Sequence, residues 1–206
     1  MKTLLVIDAQ YDFMPGGSLE VKQGDEIIPV INKILPEFDL VVFTKDWHPK
    51  IMDAFASSHK GKKPFDTYQT KSGETDTLWP DHCVQYTHGA EIHTGIDLNK
   101  IKGETYTFAK GLEIESHPYS GFGGTILAEF LREKKVEHVF IVGLAMDYCV
   151  LDTAIDAVME GFGATVILDG TRAIASDVTE TIIMFEEAGV KIIKSWQLPL
   201  SSLNFE

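Results

Sequence analysis

Basic residues are in short supply. The 206-residue chain has 18 lysines and arginines against 31 aspartates and glutamates, a formal net charge of −13 at pH 7. A surface of that sign repels phosphate backbones and argues against nucleic acid as a partner. Cysteine is scarcer still: there are two, Cys83 and Cys149. A secreted disulfide scaffold needs more of them in a shorter chain, so a reducing cytoplasm is expected. The pair also makes no Cys-x-x-Cys motif, which disfavours a thiol redox sensor. Long apolar runs are missing as well. Leu4–Ile7 is cut by Asp8, too short for the core of a signal peptide and far too short to cross a bilayer, so no membrane partner is expected. No repeat, low-complexity tract or linker interrupts the sequence. Its length suits one domain, residues 1–206, with a substantial core.

What is present is alternation. Thr3–Ile7, Leu40–Thr44, Glu104–Ala109, Val139–Val142, Ala164–Leu168 and Val190–Ile193 read as strands, several of them apolar on both faces. Between them the apolar spacing turns helical. Gly24–Leu35 places Ile27, Ile28, Ile31, Ile34 and Leu35 on one face, and Thr125–Lys135 does the same with Ile126, Leu127, Phe130 and Leu131. Tyr148–Met159 follows with Asp147 as its N-cap, and a last helix runs from a Ser176 cap through Ala188. This order predicts an α/β fold in three layers, α-β-α, around a central six-stranded, mostly parallel sheet. Lys50–Leu78 is polar and irregular, and the tail Ser195–Glu206 has no usable pattern.

In open α/β sheets, ligands bind beyond the carboxyl ends of the strands. Asp8, Asp46, Lys110 and Cys149 each stand at such an end, on four different strands. Individually each has an ordinary explanation: a turn former, a solvated lysine, an inert core thiol. Four together at one sheet edge suggest a site. Cys149 falls in the first turn of a helix, where free N–H groups and the helix dipole favour a thiolate. Asp46 and His48 are two apart, so an extended backbone points them the same way, and His82 supplies a third ligand. That mixed set suits Zn²⁺, Mn²⁺ or Fe²⁺. His59, His88, His93, His117 and His138 read as surface or hydrogen-bonded loop residues.

Six stretches carry a resemblance. Val6-Ile-Asp-Ala-Gln-Tyr-Asp-Phe-Met-Pro-Gly-Gly-Ser-Leu19, Thr44-Lys-Asp-Trp-His-Pro49, Leu78-Trp-Pro-Asp-His-Cys-Val84, Phe108-Ala-Lys-Gly111, Tyr119-Ser-Gly-Phe122 and Gly143-Leu-Ala-Met-Asp-Tyr-Cys-Val150 follow one another in an order that resembles the nicotinamidases (pyrazinamidases). These are a branch of the isochorismatase-like cysteine hydrolases. The resemblance implies hydrolysis of nicotinamide, and of analogues such as pyrazinamide, to the acid and ammonia, in cytoplasmic NAD salvage; the alternative is another small amide. It implies a triad of Asp8, Lys110 and Cys149, and an oxyanion hole from the backbone of Ala145 and Cys149 with a cis peptide at Leu144–Ala145. It also implies a substrate pocket of Phe13, Trp79 and Tyr119, and one divalent metal, zinc first with manganese or iron as alternatives, on Asp46, His48 and His82. A homo-oligomer is compatible with it. The sequence departs from the pattern in places. Met52 and Ala54 stand where the family often has histidine and serine, and Tyr11 replaces a frequent asparagine. Lys60–Thr77 is a long insertion where pocket closure or subunit contacts would be affected. A further metal contact would fall to Glu74 or His59.

Overall fold

In the computed structural model, residues 1–198 are described; the rest of the tail, 199–206, lies outside them. Strands β1 (Thr3–Ile7), β2 (Leu40–Asp46), β5 (Glu104–Lys110), β6 (His138–Gly143), β7 (Gly163–Thr171) and β8 (Lys191–Ile193) form one sheet in the order β5-β2-β1-β6-β7-β8. Every neighbouring pair is parallel. Two short strands, β3 (Thr67–Gln69) and β4 (Thr75–Thr77), pair antiparallel as a separate hairpin.

The sequence explains the placement. Leu4–Ile7 and Val139–Val142 are buried, as central strands covered on both faces must be. The edge strand β5 begins Glu-Thr-Tyr-Thr and is exposed over those residues. Alternate side chains enter two cores. Leu4, Val6, Val41, Phe43, Phe140 and Val142 pack on one side with α1 (Ile27–Ile34). Leu5, Ile7, Val42, Val139 and Ile141 pack on the other with α2 (Leu127–Glu133), α3 (Leu151–Met159) and α4 (Thr179–Glu187). The three-layer arrangement expected from the alternation is the one observed.

Several boundaries differ from the sequence reading, each for a local reason. The Cys149 segment opens as a π-helical turn, Met146–Val150, before α3 begins at Leu151. Asp147 is inside that turn and caps nothing; its carboxylate accepts the N–H groups of Ile174 and Ala175 at 3.0 and 2.8 Å. The last helix starts at Thr179, because the Asp177 carboxylate takes both the N–H and the hydroxyl of Thr179. Strand β7 continues past Leu168, and Asp169, which stood at a strand end in the sequence reading, instead holds the Ser195 N–H and hydroxyl. The polar Lys50–Leu78 region hides the β3–β4 hairpin, whose strands are too short and too exposed to show a period.

Candidate active site at the carboxyl edge of the sheet

Strand order brings the four reactive side chains together, because β5, β2, β1 and β6 are consecutive in the sheet. Register sets the details. Asp46 and Lys110 are paired residues at the ends of β2 and β5. Asp8 leaves β1 with φ of 44°, a left-handed turn unusual for a residue with a side chain, and its Oδ1 accepts the Thr44 hydroxyl at 2.7 Å. Gly143 is required at the end of β6. A Cβ there would lie 2.0 Å from the Ile7 carbonyl oxygen, so no other residue lets the two strands close at this point.

Lys110 is the hub. Its Nζ lies 2.5 Å from Asp46 Oδ1, 3.1 Å from Asp8 Oδ2 and 3.6 Å from Cys149 Sγ. The Asp8 contact is a charge contact without hydrogen-bond alignment, since Oδ2 has no hydrogen-bond donor. Sγ and a carboxylate oxygen from each of Asp8 and Asp46 all lie within 4.8 Å of one another. All four residues are buried. Burial pushes the Asp8 carboxyl up, with the Asp46 charge adding to it, against the pull of Lys110. Burial also acts on Asp46, but Lys110 and His48 outweigh it and hold that carboxyl well below its ordinary range. Lys110 stays charged: burial works against it, and the charges of Asp46 and Asp8 override burial. The Cys149 thiol is pushed well up by burial, with Lys110 opposing, so it rests protonated beside a carboxylate of raised basicity.

The second cluster shares Asp46. With Oδ1 on Lys110, its Oδ2 faces His48 Nε2 at 3.5 Å and His82 Nε2 at 4.0 Å. His48 Nδ1 is 2.9 Å from the Gly111 carbonyl, and His82 Nδ1 is 2.8 Å from the Pro80 carbonyl. Those carbonyls can only accept, so each ring carries a proton on Nδ1 and presents Nε2 to Asp46. Gly111 makes the first contact feasible, since a Cβ there would meet the His48 ring at 2.3 Å. Backbone bonds from His48 N–H to Cys83 and from Gln85 N–H to His48 clip the His82 segment alongside. Burial, with His48 adding, drops His82 to about 4, so it is neutral at pH 7.

These residues fit a divalent cation. His48 Nε2 is buried without a hydrogen-bond partner, and two carboxylates face one lysine. Donors on a common ion at about 2.1 Å would lie roughly 3 to 3.5 Å apart; the two imidazoles stand 3.5 and 4.0 Å from Asp46 Oδ2, so a small inward shift would close the set on an ion.

Phe13, Trp79 and Tyr119 line a cavity of about 20 Å³ together with Ala145, Cys149 and His82. Trp79 Nε1 donates to the Tyr119 hydroxyl at 3.0 Å, and that hydroxyl donates to Asp76 on the hairpin at 3.1 Å. The Lys60–Thr77 segment thus reaches the pocket wall. The Leu144–Ala145 peptide is cis, and among the described residues the Ala145 N–H has no acceptor. Larger surface clefts, of about 310, 400 and 460 Å³, bring no cysteine into reach.

Two residues escaped the sequence reading. Gln10 is buried, and its side chain holds Asp46 in place: Oε1 accepts the Asp46 N–H at 2.8 Å, while Nε2 donates to the Asp46 and Ala90 carbonyls at 2.7 and 2.9 Å. Its only signal was its position two residues past Asp8. His117, read as an ordinary loop histidine, instead stands in the group with Asp46, His48 and His82. Glu74 and His59 do not. Glu74 accepts from the Thr70 N–H and the Ser72 hydroxyl in the hairpin turn, and His59 Nε2 is 2.7 Å from the Asp53 carbonyl. Met52 and Ala54 are buried core residues.

A doubly covered parallel sheet with a buried thiol, carboxylate and lysine at its carboxyl edge is the arrangement expected of an α/β cysteine hydrolase. A family model, the isochorismatase domain, matches residues 2–195, and the chain belongs to the isochorismatase family. A nicotinamidase of Acinetobacter baylyi is 44% identical over 177 residues, covering 83% of this chain and 81% of that protein. Among solved structures, a nicotinamidase/pyrazinamidase from Acinetobacter baumanii superposes with a TM-score of 0.88 at 36% identity, covering 95% of this chain and 96% of the other. A pyrazinamidase of Pyrococcus horikoshii, solved in complex with zinc, gives 0.78 at 36% identity, covering 94% and 98%.

Proposed function

We propose that this chain is a nicotinamidase, hydrolysing nicotinamide and analogues such as pyrazinamide to the acid and ammonia through a Cys149 thioester. The observation that carries the reading is the convergence of Asp8, Lys110 and Cys149 within 4.8 Å of one another, beside a carboxylate–imidazole cluster. Asp8 takes the thiol proton, and Lys110 holds both carboxylates while favouring the thiolate. Sulfur attacks the carboxamide carbon. The N–H groups of Ala145 and Cys149 receive the developing oxyanion; losing one such donor ordinarily costs about 3 kcal/mol. As the C–N bond breaks, Asp8 returns its proton to the departing ammonia. Water then adds to the thioester, and the acid leaves as the thiol is restored.

Asp46, His48 and His82 would hold the divalent ion, with zinc favoured by the mixed carboxylate and imidazole donors. Bound there, it supplies a Lewis-acidic anchor for the pyridine nitrogen and a place for ordered water. Phe13, Trp79 and Tyr119 flank the ring. A cavity of about 20 Å³ holds about one water, so the wall opens for the substrate to enter. The test is ammonia release from nicotinamide by the purified protein, with Cys149→Ala alongside. Wild type should turn over, and the variant should lose turnover while keeping its metal. A variant of near-native activity would sink the covalent mechanism, and release only from other amides would move the substrate elsewhere in the family.

A further inference from the structure

We propose that His117 is a fourth protein ligand of the metal, brought in by the segment that joins Lys110 to the pocket wall. The inference rests on the reading of Asp46, His48 and His82 as a metal site. Three observations carry it. First, one nitrogen of His117 lies within 4.8 Å of the ligating atoms of all three. Its ring centroid is 5.0 Å from that of His48 and 5.8 Å from that of His82. Second, the residue is half-buried, yet both of its ring nitrogens are shielded from solvent and neither has a hydrogen-bond partner. A neutral imidazole has one N–H and one lone pair, and leaving such groups buried and unpaired is costly. His48 and His82 each satisfy Nδ1 on a carbonyl and leave one nitrogen for the ion; His117 has both still to satisfy. Third, the other candidates for a further contact are engaged elsewhere: His59 Nε2 sits against the Asp53 carbonyl, and Glu74 is tied into the hairpin turn.

The position has a consequence for the site. Pro118, next in the chain, offers its carbonyl to Lys110 Nζ at 3.2 Å, and Tyr119 follows in the pocket wall. A metal-bound His117 fixes this segment between the lysine that serves the thiol and the tyrosine that flanks the substrate. It also leaves fewer open positions on the ion than three ligands would.

The experiment uses metal-stripped full-length protein. Zn²⁺ affinity is measured by competition with a chromogenic chelator, and Co²⁺ binding by visible absorption, for wild type, His117→Ala, His117→Asn, His48→Ala and His93→Ala. Both His117 variants should lose at least tenfold in Zn²⁺ affinity and shift the Co²⁺ bands, whereas His93→Ala should match wild type. Co²⁺-loaded wild type should also show hyperfine-shifted proton signals from three imidazole rings, a reading independent of how the variants fold. Wild-type affinity and bands in the folded His117 variants, or signals from two rings, overturn the proposal and leave the metal site standing. Failure of wild type to bind either ion, or of His48→Ala to weaken binding, overturns the metal-site reading and this proposal with it.

Discussion

Gln10 does for Asp46 what a strand partner would do for an ordinary residue. At the end of β2 the ladder runs out on one side, and the amide of Gln10 takes over both backbone groups of Asp46. Replacing it with alanine leaves a buried N–H and a buried C=O unpaired, at about 1 to 3 kcal/mol each. Gln10→Ala should therefore lower unfolding free energy by about 2 to 6 kcal/mol in urea titrations. Zn²⁺ affinity should weaken too, because Asp46 loses its fixed direction. A stable variant with native metal affinity would mean that β5 and Lys110 suffice to aim the carboxylate. Asp8 makes a separate case. Asn at that position keeps the shape and removes the base, so Asp8→Asn should cost about 10² to 10⁴ in kcat with the fold intact. Steady-state ammonia release decides it, and a kcat within a few-fold of wild type would take the base role away from Asp8.

At the scale of elements, the β3–β4 hairpin contributes to the pocket wall. It reaches the wall through a relay: Trp79 donates to Tyr119, and Tyr119 donates to Asp76. On the proposed function, the relay orients a ring beside the substrate without taking part in bond making. Asp76→Ala and Tyr119→Phe should therefore raise KM several-fold while changing kcat less than twofold, and combining them should add little more. An equal fall in kcat and kcat/KM would place the relay in the transition state instead. Elements also show what the residues disclosed beforehand. Strands β1 and β6 were legible because residues buried on both faces leave continuous apolar runs, and their ends gave Asp8 and Cys149. Asp46 and His48 were legible through a spacing of two. His117 was not, because nothing local distinguishes a loop histidine that meets the cluster from one that meets water; only β5 lying against β2 brings it there. The hairpin was hidden for a related reason, since three-residue strands in solvent need no apolar period. The π-helical turn escaped because Asp147 has the sequence signature of a cap while its carboxylate serves the loop at Ile174.

For the molecule as a whole, the two clusters couple stability to pH and to metal. In the metal-stripped protein, burial holds His82 at about 4, whereas in the unfolded chain it titrates near its ordinary value of 6.5. Between those values the unfolded state binds the proton and the folded state does not, so stability rises with pH across the window and is lost as pH falls through it. The full loss is on the order of 3 kcal/mol, about half of it reached by pH 5. His117 and His138, both lowered chiefly by burial, act in the same direction. The surplus of acidic surface charge works the other way, since acid relieves its repulsion, but those charges are spread out and screened beyond about 8 Å at physiological salt. The buried histidines should win. Urea midpoints of chelated protein should fall from pH 7.5 to pH 5, and His82→Gln should flatten that slope. Zinc added at a hundred times its dissociation constant at pH 7.5 should restore about 2.7 kcal/mol. Midpoints that stay level with acid would show that His82 is not held neutral by its surroundings. Zinc that leaves the midpoint unmoved would show that the folded site does not bind it, and the anchor for the substrate ring would then have to be sought among Phe13, Trp79 and Tyr119 alone.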